Sequence, residues 1–455
     1  MVEIWKRSNE NNRNTSVFDL DGVPPIKKAI PLSLQHLLAM IVGNVTPAII
    51  VAGVAGASSS DKALLVQCSL FIAGIATLLQ LYPIWKLGSG LPVVMGVGFA
   101  YVPTLTAIGA TYGIEAIFGA QLIGGVVAVL VGIFIKPLRK LFPPLVAGTV
   151  VFTIGLSLYP TAIKYMAGGA GASDFGSIQN WIIAFITLGV VLFCNHFTKG
   201  YFKLASILIG IIVGYVFAIM FNKVDFSAIA NAGWVQIPKP LHFGLKFYPS
   251  AILSIVIIYI VDSVQTVGQY SVATEGGLDR DLKDSELSNG IIGNGVVNII
   301  GSIMGGLPTS TYGQNIGIVA MTKVVSKFVI ALAAAFMLVA GFIPKIGALI
   351  TTVPQSVLGG ATVIVFSTIT MTGIKLIFKD ELSTRNITVV GLSVALGVGI
   401  TQVQGALDAF PEAIRTLLGS SPVVVTTIFV IFLNLILPKQ SLKQEEEERK
   451  QIDKK

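Results

Sequence analysis

Charge is scarce in this chain. Asp, Glu, Lys and Arg make up 12% of its 455 residues, against roughly 25% in soluble domains. Hydrophobic residues supply 53%, so lipid is the solvent for most of the chain. Cysteine is nearly absent: Cys68 and Cys194 both lie inside apolar runs, which reads as two buried thiols. Three histidines and two isolated cysteines give no zinc spacing and no nucleophile with its base. A membrane enzyme is disfavoured on that ground, and no metal or cofactor is expected. The first 28 residues have no apolar core region, so no cleavable leader is expected.

Long apolar stretches, by contrast, run from Pro31 to Pro438 with short gaps. A membrane helix needs about 20 mostly apolar residues. Fourteen spans fit, near 31–54, 62–82, 91–109, 114–136, 142–160, 178–196, 202–221, 250–272, 286–304, 307–322, 327–344, 355–374, 385–402 and 421–438. The expected class is an all-α polytopic membrane protein with one membrane domain over 29–438. Polar, mobile tails are expected at 1–28 and 439–455. With the N-terminus inside and the spans alternating, 24 of the 31 Lys and Arg fall on one side and 7 on the other. That asymmetry predicts both termini in the cytoplasm. It also accounts for the net charge of +8 without a nucleic-acid partner.

The third and tenth spans are interrupted by Gly and Pro. Gly90-Leu91-Pro92 opens one and Gly306-Leu307-Pro308 the other. Each is followed by a related segment, Phe142 to Lys164 and Val353 to Lys375. Seven spans per copy invert the second copy, the signature of a transporter with an inverted repeat. Backbone freed from helix bonding is tolerated at membrane depth only inside protein or beside a polar cavity. Helix N-termini there would aim N–H groups and positive dipole ends at a ligand.

Polar residues within spans are few and costly. His36 stands in the first. Asp262, Gln265 and Gln269 stand in the eighth, within an arc of roughly 60° at helical spacing. The tenth carries Thr309, Tyr312, Gln314, Asn315 and Thr322. Paired amide donors and acceptors match the edge of an oxopurine or pyrimidine dione. Phe99 and Tyr101 lie in the third span, and Phe99 falls opposite Asn315 in the repeat, where its ring could stack on a base. Interhelical packing is the competing reading for each.

Gly305 to Lys323, GGLPTSTYGQNIGIVAMTK, resembles the signature of the nucleobase–ascorbate transporter family, with Gln314, Asn315, Gly317 and Thr322 on its pattern. Ser33 to Met40, Gly96 to Pro103, Phe142 to Val151 and Gln265 to Gln269 are similar to family segments too. The resemblance implies a seven-plus-seven inverted repeat with short strands in segments 3 and 10. It implies a core near 29–136 and 250–344, a gate near 142–221 and 355–438, and a homodimer through the gate. By the same resemblance, Gln265 and Gln314 contact the base edge; Gln269 and Gly313 are expected beside them in the substrate site. The resemblance also implies that Phe99 contacts the ring, Asn315 orders the site and His36 supports it; Tyr101 is expected among the binding residues, and Asn294 and Thr322 among the supporting ones. Proton symporters of the family carry a carboxylate where this chain has Gln265. Uracil permeases carry Glu at Gln314, and xanthine permeases Asp at Asn294. All three are amides here, so Asp262 is expected to carry the proton.

The expected function is a permease importing an oxidised purine such as xanthine or uric acid by proton symport, in a cell membrane. A uracil permease, sodium coupling and uncoupled facilitation stand as alternatives, and a channel as one of another class. An inorganic-anion carrier is disfavoured because no Arg or Lys is central.

Overall fold

Apolar sequence in lipid must satisfy its own backbone, and helices do so within one segment. The computed structural model describes residues 15–138, 141–169, 171–236, 238–403, 405–411, 414–415, 418–419, 421–444 and 446–447. The expectations for residues 1–14 and 448–455 of the tails lie outside the described residues.

The first half holds α1 (Ile26–Val54), α2 (Ser59–Leu81), β1 (Met95–Val97), α3 (Val102–Tyr112), α4 (Ile114–Ile133), α5 (Pro144–Met166), α6 (Ile178–Phe197) and α7 (Ser206–Met220). The second holds α8 (Pro249–Ser271), α9 (Asp284–Met304), β2 (Thr309–Thr311), α10 (Gly313–Thr322), α11 (Lys327–Gly341), α12 (Pro344–Thr351), α13 (Gln355–Ile377), α14 (Thr384–Gln402) and α15 (Pro422–Ile436). Shorter turns link them. Among the described residues, 9 helices are long and apolar enough to cross a membrane, or 10 if α11 and α12, bent by 87°, form one span. The apolar helices α7 and α15 have 15 residues each. The protein is a helical, multi-pass membrane protein.

Small residues set the closest packings. A Cβ at Gly373 would stand 2.3 Å from the Phe152 amide nitrogen, and one at Gly148 would stand 2.9 Å from the Gly373 carbonyl oxygen, so α5 and α13 touch backbone to backbone. Gly125 and Gly295 do the same for α4 and α9, where added Cβ atoms would meet each other's carbonyl oxygens at 2.9 and 2.8 Å. Further pairs are α2 with α11, α1 with α11, α4 with α8, α6 with α7 and α14 with α15. The apolar windows of α6 and α14 are only 33% and 17% buried, so these helices present apolar faces outward.

Two expectations at the N-terminus change. The first helix starts at Ile26 rather than near 31, just after Pro25. Part of the supposedly mobile tail is docked: Val325 and Ser326 donate their N–H groups to the Val17 carbonyl at 3.0 and 3.2 Å. Hydroxyl and amine of the same connection add Ser326 to the Gly22 carbonyl at 2.6 Å and Lys327 to Asp21 at 2.9 Å. A polar segment thus finds its partners on the α10–α11 connection.

Candidate functional site

β1 and β2 pair antiparallel, with Met95 opposite Thr311, Gly96 opposite Ser310 and Val97 opposite Thr309. A two-stranded ribbon inside a helical protein leaves its outer polar edges to be satisfied, and side chains of flanking helices do this. On β1, the Thr77 hydroxyl accepts the Met95 N–H at 3.0 Å and Asn44 Oδ1 accepts the Val97 N–H at 2.6 Å. On β2, Asn298 Oδ1 accepts the Thr309 N–H at 2.7 Å, and Asn294 Nδ2 donates to the Thr309 carbonyl at 3.0 Å. The Thr309 hydroxyl donates to Asn294 Oδ1 at 2.8 Å. Tyr312 clasps both strands: its N–H donates to the Val94 carbonyl and its hydroxyl to the Val97 carbonyl, each at 2.9 Å. Its ring needs Gly96, where a Cβ would lie 2.3 Å away.

Beyond each strand a helix begins. Phe99–Tyr101 forms a 3-10 turn that runs into α3, and Gly313 starts α10. Both N-terminal ends abut one cavity of about 420 Å³. Helix starts leave N–H groups without intrahelical partners, so the cavity has backbone donors on two sides. Phe99, Gln265, Gln269, Gly313 and Gln314 line it. They come from the 3-10 turn, α8 and α10, which only the tertiary fold brings together. Across from them stand Val151 and Ile154 of α5 and Thr368, Ile369 and Thr372 of α13. The Phe99 ring meets Phe366 of α13 edge-on, with centroids 5.4 Å apart.

The remaining sequence-expected residues surround the cavity without lining it. Tyr101 is turned away from it and fully buried, its ring 4.9 Å from that of Tyr259 on α8. A 3-10 turn has three residues per turn, so residues 99 and 101 of one turn face different neighbours. Asn315 is buried behind Gln314 and donates to the His36 carbonyl at 3.0 Å and to His36 Nδ1 at 3.2 Å. A donating amide makes Nδ1 the acceptor, which leaves the ring proton on Nε2. Asn294 braces β2 as described. Asp262 is 3% exposed, beside Tyr101 and one turn from Gln265. Thr322 lies at the far end of α10, its hydroxyl on the Ile318 carbonyl at 2.7 Å.

Sequence reasoning missed the strand braces Asn44, Thr77 and Asn298, and the wall from α5 and α13. Thr368 and Thr372 recur at helical spacing on an apolar segment, a signal that could have marked them. Lys379, just past α13, also lines the cavity.

The chain matches the family model described as a permease family, of the xanthine and uracil type, over residues 27–406. It is 35% identical over 411 residues to the xanthine permease of Bacillus subtilis (strain 168), covering 90% of this chain and 93% of that protein. It is 36% identical over 425 residues to the uric acid permease PucJ of the same organism, covering 92% and 94%. Among solved structures, the transmembrane domain of the cyanobacterial bicarbonate transporter BicA superposes with a TM-score of 0.57 at 15% identity, over 90% of this chain and 97% of that one. The fold and the family match define a multi-pass membrane transporter, not an enzyme. The chain belongs to the permease family of nucleobase–ascorbate transporters whose signature it carries.

Proposed function

We propose that this permease imports an oxidised purine, xanthine or uric acid, by proton symport across a cell membrane with both termini in the cytoplasm. The observation that carries the reading is the convergence of Gln265, Gln269, Gln314 and Phe99 on one cavity at two helix starts. Amides supply donors and acceptors to a base edge, Phe99 packs on its ring, and Gly313 keeps the start of α10 clear for close approach. His36 and Asn315 hold α1 against α10 and so fix Gln314. The names of the B. subtilis relatives support an oxidised purine.

Fourteen spans in a seven-plus-seven inverted repeat fit the element order. The 9 long helices leave five places, occupied by the two strand-plus-helix segments, the bent pair, α7 and α15. Packing pairs match as a two-fold axis would have them: α4 with α9 answers α2 with α11, and α6 with α7 answers α14 with α15. Met95 and Thr311, paired in the ribbon, stand equally far from their Gly-Leu-Pro starts, so the axis would pass through them. Core (29–136 and 250–344) and gate (142–221 and 355–438) then move against each other around the cavity. The outward apolar faces of α6 and α14 belong to lipid or to a second gate.

Asp262, buried beside the site, is the proton carrier in this reading. The test is uptake of radiolabelled xanthine, uric acid, uracil and guanine into cells lacking their own carriers, with and without protonophore. Accumulation of xanthine or uric acid that the protonophore abolishes is expected. Uptake of uracil alone would make the protein a pyrimidine permease. Sodium-dependent or merely equilibrating uptake would overturn proton coupling.

A further inference from the structure

The walls of the cavity carry one charged side chain, Lys379, and no carboxylate among the described residues. Lys379 stands at the exposed end of the lining, past the α13 C-cap Phe378. Among the described residues it makes no ion pair. Its neighbour Asp380 is turned to α5, where Oδ2 accepts the Leu145 N–H at 2.8 Å. Glu275 of the turn after α8 and Lys375 of α13 are exposed and outside the lining. At the inner end, Gly313 and Gln314 open the ten-residue α10 onto the same volume. Its first-turn N–H groups and the positive end of its dipole face the ligand. Asp262, one turn from Gln265, is buried beside Tyr101 and outside the lining. With the proton on Asp262, positive charge at the mouth, positive dipole at the base and no acid in the lining make a site whose potential favours an anion.

Resting on the nucleobase reading, we propose that the cavity takes its oxopurine as the monoanion, and that Lys379 is the residue discriminating acidic oxopurines from neutral bases. Uric acid loses a proton below neutrality, whereas hypoxanthine stays neutral there. A neutral amide site alone would bind either by its edge. The lysine adds an attraction that only the anion feels.

The experiment is equilibrium binding of radiolabelled uric acid and hypoxanthine to the purified full-length protein. It is run in acidic buffer, where uric acid is neutral, and in neutral buffer, at low and high salt. Relative to hypoxanthine, which reports any effect of Asp262 protonation common to both bases, wild type should bind uric acid more tightly in neutral than in acidic buffer. K379Q should lower the affinity ratio of uric acid to hypoxanthine by about two- to fivefold at low ionic strength, with most of the difference lost at high salt. K379R should keep the wild-type ratio. Where hypoxanthine binding is undetectable, the salt dependence of uric acid binding in wild type and its loss in K379Q decide. A uric acid to hypoxanthine ratio that is equal or larger in acidic buffer, or a K379Q protein indistinguishable from wild type, overturns the proposal. Binding of neither base in any buffer refutes the oxidised-purine reading itself, and the inference with it.

Discussion

At the scale of single residues, the site is held by amides in two different employments. Gln265, Gln269 and Gln314 face the cavity. Asn294, Asn298 and Asn44 serve the strands. Removing a buried partner leaves its mate unsatisfied, at about 1–3 kcal/mol. N298A, which strips the Thr309 N–H of its acceptor, should therefore destabilise the solubilised protein by about that amount. The readout is its melting midpoint against wild type, and an unchanged midpoint would mean that water replaces the amide. Q314A, by contrast, should raise the KM for uptake with little change in melting, because its side chain faces the cavity. D262N should abolish uphill uptake while sparing exchange of base across the membrane; undiminished accumulation would remove Asp262 from the proton path. The sequence showed which polar residues were out of place in lipid. It did not show which of them faced a cavity and which faced a strand, because residues neighbouring in sequence, such as Gln314 and Asn315, point about 100° apart on a helix.

Among the elements, the interrupted spans were legible from Gly-Leu-Pro and the polar run that follows the second. Their strands and register were not, since three-residue strands leave no periodicity to read. The ribbon exists because two segments that cannot continue as helices find each other and flanking side chains cap what is left. Gly96 is a sensitive point of that arrangement. G96A places a methyl 2.3 Å from the Tyr312 ring, which must move and release the Val97 carbonyl. Overpacking of this kind costs about 1–3 kcal/mol. We expect lower thermal stability together with impaired base binding, and recovery of both in a G96A/Y312F protein would show that the ring was not the obstacle. The α5–α13 contact was legible only as two related segments. That they touch through Gly148 and Gly373 is a result of packing, because small residues permit close approach without naming the partner.

For the whole molecule, the proposed motion of core against gate shifts the parts carrying α3 and α15 relative to each other. The Thr104 hydroxyl on α3 donates to the Ser421 hydroxyl at the start of α15 across 3.2 Å. A T104C/S421C pair should therefore oxidise readily, and the native Cys68 and Cys194 are buried and should not compete. Oxidation is expected to stop uptake reversibly, with reductant restoring it, while equilibrium binding of base persists. Full uptake by the oxidised pair would show that this contact does not open in the cycle.

Composition alone determined that lipid is the solvent, and charge asymmetry set an expected orientation, because both are sums over many residues and tolerate local error. Hydropathy located the helices for a related reason: a span is a property of one contiguous segment. The signature and its companion segments fixed the family. The tertiary structure decided what depends on residues distant in the chain. It brought the 3-10 turn after β1, α8 and α10 to one cavity, turned Tyr101 out of it and set Asn315 against His36. It also put Lys379, an unremarked charge at the end of α13, into the wall. Which side chain meets which is fixed by how helices cross, and crossing is a pairwise property that no single segment encodes.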